Sequence, residues 1–158
     1  MPYLVDGSNL LGLFPGLRRD RPGDRGKLAR RVLSAPAARR KGVVFVFDGP
    51  PDAGRSRVLL GRGTEVRYSG PRADADSVIR RLLERANPNH YVLVTDDREL
   101  RDHARALGAR SVPCAEFLRS LAREAATEKD GEGRRPDRPL TPAELEEWLD
   151  YFGRGEKA

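Results

Sequence analysis

Three short apolar runs, each stopped by an aspartate, constrain this chain more than anything else in it. Tyr3-Leu4-Val5 runs into Asp6-Gly7-Ser8-Asn9. Val43-Val44-Phe45-Val46-Phe47 runs into Asp48-Gly49-Pro50-Pro51, and Tyr91-Val92-Leu93-Val94 into Thr95-Asp96-Asp97. Apolar runs of this length bounded by turn residues predict buried strands. If the three are parallel neighbours, their C-terminal ends share one edge of a sheet. The carboxylates then meet in the crevice where open α/β sheets place their ligands.

The intervening segments supply the helices such a sheet needs. Leu10 to Leu17 is apolar but broken by Gly12, Pro15 and Gly16, and predicts a short turn or helical piece. From Asp24 the residues Leu28, Ala29, Val32 and Leu33 recur at helical spacing, predicting one helix to about Ala38 that Pro36 kinks or closes. Asp48 to Arg57 is too rich in Gly and Pro for regular structure. Gly63 to Ser69 alternates and predicts a strand. Ala73 to Ala86 is the clearest helix, with Ala75, Val78, Ile79, Leu82, Leu83 and Ala86 on one face. A helix through Leu107, a strand at Arg110–Val112 and a helix at Ala115–Ala125 complete the alternation. This order builds an α/β fold: a parallel sheet of about five strands with right-handed crossovers and helices on both faces. The body then spans 1–125. Residues 126–139, charged and rich in Gly and Pro, predict a flexible linker. Residues 140–152 predict a short helix with Leu145, Trp148, Leu149 and Phe152 on one face, and 153–158 a tail. So small a helix cannot stand alone and is expected to dock on the body, another subunit or a partner.

A chain of 158 residues is about one domain. Basic residues outnumber acidic ones 30 to 24, for a net charge of +6. Twenty-six of the bases are arginine. That balance favours polyanionic partners such as nucleic acid, although a general arginine bias would produce it too. One cysteine, Cys114, excludes an intrachain disulfide, and with His90 and His103 as the only histidines a Cys/His zinc cluster is not expected. The N-terminus enters a strand without a basic-then-apolar leader, and no apolar run approaches the ~20 residues of a membrane span. A soluble, cytoplasmic protein is expected.

Asp6, Asp48 and Asp97 end strands, and Asp76 opens the helix after the third predicted strand. Four such acids in one crevice repel one another unless a divalent cation lies among them. Oxygen-only ligands favour Mg2+ or Mn2+. Either ion binds phosphate and activates a water against a phosphodiester. Helix capping is the competing role for Asp74 and Asp76, and for Asp96, Asp97 and Glu99.

These residues also resemble a family. Leu4-Val5-Asp6-Gly7-Ser8-Asn9 is similar to the opening Asp-Gly-x-Asn motif of NYN domains, which belong to the PIN-like nuclease superfamily. Phe47-Asp48-Gly49 resembles the second acidic position and Ala75-Asp76 the third. Thr95-Asp96-Asp97-Arg98-Glu99-Leu100 resembles the Thr-x-Asp-x-Asp-Leu turn of PIN and flap-nuclease domains, with Glu99 in place of the last aspartate. Order and spacing fit the YacP-like branch over about residues 2–123. The resemblance implies a PIN-like three-layer sandwich and a metal-dependent endoribonuclease acting on single-stranded or flexible RNA, mRNA on the ribosome included. It implies Asp6, Asp48, Asp76 and Asp97 as ligands of Mg2+ or Mn2+, with Asp74, Asp96 and Glu99 as alternatives beside them. Ser8 stands where many relatives have tyrosine, so a stacking role there is not expected.

Asn9 is expected to orient an acid or the attacking water, since its neutral amide is no base. Arg18, Arg19, Arg21 and Arg25 after the first motif, and Arg55 and Arg57 after the second, are the candidates for gripping phosphate. Two rivals stand beside the nuclease. One is a non-catalytic RNA-binding module on the same fold, from which clustered acids would detract. The other is a haloacid-dehalogenase-like phosphatase, which needs a second acid where Ser8 stands.

Overall fold

The computed structural model describes residues 1–21, 23–52 and 55–130. Its strands are β1 (Tyr3–Asp6), β2 (Val43–Phe47), β3 (Arg57–Gly61), β4 (Thr64–Tyr68), β5 (Val92–Val94) and β6 (Arg110–Val112). Its helices are α1 (Gly7–Leu11), α2 (Asp24–Leu33), α3 (Pro36–Lys41), α4 (Ala75–Arg85), α5 (Arg98–Ala106) and α6 (Cys114–Asp130). The strands form one sheet in the order β3-β4-β2-β1-β5-β6. All pairings are parallel except β3 with β4.

The central strand β1 lies between β2 and β5, with Asp6 opposite Val46 and Val5 opposite Val94. The three aspartate-stopped runs are therefore parallel neighbours. Their residues alternate between two cores, as strand geometry dictates. Val5, Phe45, Phe47 and Val94 pack with residues of α1, α2, α3 and α6, among them Leu10, Leu28, Val32, Ala37 and Phe117. Leu4, Val44, Val46 and Leu93 pack with Ala75 and Ile79 of α4 and Leu100 of α5. Fully burying one such aliphatic or aromatic side chain stabilises the fold by roughly 1.5–3 kcal/mol. This is the three-layer sandwich that the alternation of runs predicts.

Two glycines are fixed by close approach. A Cβ on Gly7 would lie 2.5 Å from a ring carbon of Phe47, so the residue after Asp6 must be glycine for α1 to turn directly over the sheet. Gly42 has φ +83°, and a Cβ there would lie 2.5 Å from the Gly63 carbonyl oxygen. It lets the chain leave α3 and enter β2 beside the β3–β4 turn.

The structure departs from the sequence reading in three places. The sheet has six strands, because the segment read as irregular up to Arg57 leads into β3, which pairs antiparallel with β4. That strand is largely exposed, with Leu59 70% and Leu60 46% accessible, so its short apolar run, Val58-Leu59-Leu60, is not buried like those of β1, β2 and β5. The helix expected from Asp24 to Ala38 is two helices. The break falls at Ser34–Ala35, and Pro36 opens α3, where its missing N–H is no loss. Helix α6 continues to Asp130, five residues beyond the expected end at Ala125 and into the expected linker. The rest of that linker, the helix expected at 140–152 and the tail lie outside the described residues. Among those described, no helix is long and apolar enough to cross a membrane.

Candidate active site

Each of the four acids is placed by the start of a helix. Asp6 ends β1 and caps α1. Its carboxylate accepts the Asn9 N–H at 3.2 Å and the Thr95 hydroxyl at 3.1 Å. The same Thr95 oxygen accepts the Asp97 N–H at 3.0 Å, so one buried hydroxyl ties the end of β1 to the turn after β5. Asp97 caps α5 by accepting the N–H groups of Glu99 at 2.9 Å and Leu100 at 3.3 Å. Asp48 follows β2, and its carboxylate accepts the N–H of Ala75, first residue of α4, at 2.6 Å. Asp76 lies in the first turn of α4 and accepts the Arg80 Nε–H at 3.0 Å through Oδ2. Its other oxygen, Oδ1, is buried and meets no hydrogen-bond partner among the described residues. Helix N-termini carry partial positive charge, so this placement softens the repulsion among the acids. Capping and clustering are thus the same arrangement rather than alternatives.

All four acids line one crevice of about 260 Å3, together with Ser8, Asn9, Arg19, Asp74 and Ala75. The remaining acids are sorted by their own partners. Asp74 caps α4 at 2.8 Å from the Ser77 N–H. Hydrogen bonds from Ser77, its side chain first, hold the carboxyl below its ordinary pKa. Asp96 turns away to accept the Cys114 N–H at the start of α6. Asp96 and Glu99 are not among the crevice-lining residues.

Asn9 is a strut. Its N–H goes to Asp6, and its Oδ1 accepts the Asp96 N–H at 2.9 Å, fixing the turn that carries Asp97. Ser8 is 7% exposed, and its Oγ accepts the Asp48 N–H at 3.1 Å, latching the ends of β1 and β2 together. Cys114 is buried, and burial pushes its thiol well above the ordinary value.

The six candidate arginines divide. Arg19 reaches the crevice. Arg25 does not. Its guanidinium donates to the carbonyls of Asp48 at 2.9 Å and Pro50 at 2.8 Å, pairs with Asp52, and lies 4.6 Å over the Tyr68 ring. It holds the loop after β2 in place. Arg18 pairs with Asp20 and Arg21 lies 3.6 Å from the buried Asp24, both away from the crevice lining. Arg57, on β3, pairs with Glu65 at 2.6 Å, and Arg55 is exposed ahead of that strand. Sequence reasoning assigned Thr95 no role beyond its motif and passed over Arg80. An arginine one helical turn after a site acid is the signal that finds Arg80.

The electrostatics centre on Asp6, which is 8% exposed. Burial pushes its pKa up to about 6, and the Asp48 and Asp97 carboxylates push the same way. The Asn9 and Thr95 hydrogen bonds oppose them. An oxygen-only set with a buried, unpartnered Asp76 Oδ1 suits a hard cation. Among the described residues no three His, Cys, Asp or Glu side chains are drawn together closely enough to hold an ion by themselves. A cation there would be held by one or two carboxylates and through water, which is the usual manner of Mg2+.

Comparison with known proteins gives this geometry its relatives. A model of the YacP-like NYN domain matches residues 3–151. Two crystal structures of Rae1 (YacP) from Bacillus subtilis are similar. One, of a mutant, has a TM-score of 0.58 and 21% identity over 99% of this chain and 97% of that one. The other has a TM-score of 0.58 and 19% identity over 100% and 95%. At such identity the likeness speaks for the fold. No curated protein sequence matches.

Proposed function

The chain belongs to the YacP-like NYN family of PIN-like nuclease domains, and on that premise we propose that it is a metal-dependent endoribonuclease. One observation carries the reading: among the described residues the buried Asp6 carboxylate faces Asp48 and Asp97 with only neutral donors for company. A folded chain keeps such a group when a cation completes it.

In this reading Asp6, Asp48, Asp76 and Asp97 hold Mg2+ or Mn2+, directly or through water. The ion supplies charge neutralisation and an activated water for attack on a phosphodiester. Asn9 and Thr95 act one step back. They fix the Asp6 oxygens and carry the Asp97 turn, so the acids keep their spacing as substrate enters. Arg19 supplies a cationic contact for the phosphate at the rim. RNA is the substrate class that the family favours, and mRNA, on the ribosome or off it, is the member of that class suggested by the family resemblance.

The test is cleavage of a single-stranded RNA by the full chain with Mg2+, with Mn2+ and with EDTA, alongside single-stranded DNA. Cleavage of RNA that needs the ion and disappears in the Asp6→Asn and Asp97→Asn proteins supports the reading. Equal cleavage in EDTA, or by the two variants, removes it.

A further inference from the structure

Arg80 sits one turn into α4 from Asp76 and donates its Nε–H to Asp76 Oδ2 at 3.0 Å. As a surface helix pair this would count for little. Two further facts set it apart. Its partner is a crevice acid whose second oxygen is buried and unpartnered. Its charge also reaches Asp74, another residue lining the crevice. Arg80 is thus a counter-cation of the acid cluster, supplied by the chain itself. An arginine carries five donors in a planar fork that suits phosphate as well as carboxylate. A divalent ion held by Asp76 would repel the guanidinium beside it and take over its role.

We propose that Arg80 exchanges partners during binding, giving up Asp76 to a divalent cation and turning its guanidinium to a phosphate oxygen of the RNA. This rests on the reading of the crevice as a cation-dependent RNA site. No covalent bond is made or broken in the exchange; the Arg80–Asp76 pair gives way to an Asp76–cation pair and an Arg80–phosphate pair. It predicts opposite effects on two affinities, which neither a helix-stabilising pair nor an orienting contact produces. Without Arg80 the acids should hold the cation more tightly, because a competing positive charge is gone. RNA should be held less tightly, because a phosphate contact is gone.

The experiment compares the full chain with Arg80→Ala, Arg80→Gln and Arg80→Lys. Mn2+ affinity is measured by calorimetry. Affinity for a cleavage-resistant, phosphorothioate-substituted single-stranded RNA is measured across a salt series with Mn2+ present, all four proteins keeping the crevice acids intact. Both neutral variants should bind Mn2+ about tenfold more tightly, the scale of one unit charge removed from beside a divalent ion. Their log–log salt slope for RNA should fall by about 0.7, one phosphate contact on a single strand. Arg80→Lys should stay near the parent in both. Unchanged affinities would make Arg80 a helix pair only, and a joint loss of both would make it an orienting contact for Asp76. Either result, or tighter Mn2+ with unchanged RNA binding, overturns the exchange. Continued cleavage of ordinary RNA by a separate Asp97→Asn protein, or no Mn2+ binding by the wild-type chain, is seen independently of Arg80 and overturns the underlying reading together with this inference.

Discussion

Two acids in this sheet are almost equally hidden from water and are treated in opposite ways. Glu65, on β4 near the outer edge, is 6% exposed; Asp6, at the end of the central strand, is 8% exposed. Glu65 lies between two arginines. Arg57 from β3 meets its Oε2 at 2.6 Å, and Arg67 from its own strand meets its Oε1. Among the described residues Asp6 has only an amide and a hydroxyl as donors, and two more carboxylates push against it. The hairpin supplies its buried acid with two cationic partners of its own, so that acid is part of the scaffold. The crevice leaves its balance open, and an open balance of negative charge at the ligand-binding edge of a sheet is what a cation-dependent site needs. Burial alone therefore does not separate a structural acid from a functional one; the sign of the neighbours does.

The largest expected difference between the two regions is in turnover. Asp6→Asn or Asp97→Asn should lower RNA cleavage by about a hundredfold or more, on the scale of losing a metal-held carboxylate. Glu65→Gln should leave the cleavage rate within about twofold. Initial rates on one RNA at saturating Mn2+ check this. A Glu65→Gln protein as inactive as Asp6→Asn would break the comparison.

Stability should move the other way, with a pH dependence that follows from Asp6. Its carboxyl titrates at about 6 in the folded chain, against an ordinary 3.8. Between those values the folded state holds a proton that the unfolded state has lost. The charge therefore opposes folding above pH 6, and the penalty fades as pH falls towards 3.8. A carboxyl raised that far costs the folded chain roughly 3 kcal/mol at most. In EDTA, Asp6→Asn should be more stable than wild type by about 1–3 kcal/mol at pH 7.5 and close to equal at pH 4. Urea melts at the two pH values decide it, and a variant destabilised at pH 7.5 would contradict the account. Glu65→Gln has no such reserve. It strands two arginines, both partly exposed, and should lose about 1–2 kcal/mol in the same melts.

The smallest effect sharpens the comparison among the arginines. Arg19 reaches the crevice, whereas Arg57 is held by Glu65. Arg19→Ala should reduce the log–log salt slope of single-stranded RNA binding by about 0.7, and Arg57→Ala should leave it unchanged. Equal reductions would mean that the hairpin also carries RNA.

Most of the active edge was legible in the sequence because it is built from local signals. Strand runs buried on both faces and stopped by Asp6, Asp48 and Asp97 place those acids together once the strands are parallel. The pairing of Asp6 with Val46 and of Val5 with Val94 bears that out. The hairpin was not legible. Strand β3 has only a short apolar run, Val58-Leu59-Leu60, and what fixes it, the bond between Arg57 and Glu65 across two strands, is not visible along the chain. For the same reason Arg25 reads as a phosphate contact in sequence, while in space it clamps the loop after β2. Ser34–Ala35 shows the limit of periodicity. The apolar spacing runs on through the break, and only the φ restriction and missing N–H of Pro36 divide α2 from α3.

In the proposed reading, the buried Asp6 carboxylate meets neutral donors and like charges because a divalent cation completes it. Mn2+ titration of the wild-type, Asp6→Asn and Glu65→Gln proteins by calorimetry at pH 7.5 tests it most directly. Wild type and Glu65→Gln should bind Mn2+ alike, and Asp6→Asn should bind at least about tenfold more weakly. Equal Mn2+ affinity in wild type and Asp6→Asn would contradict it.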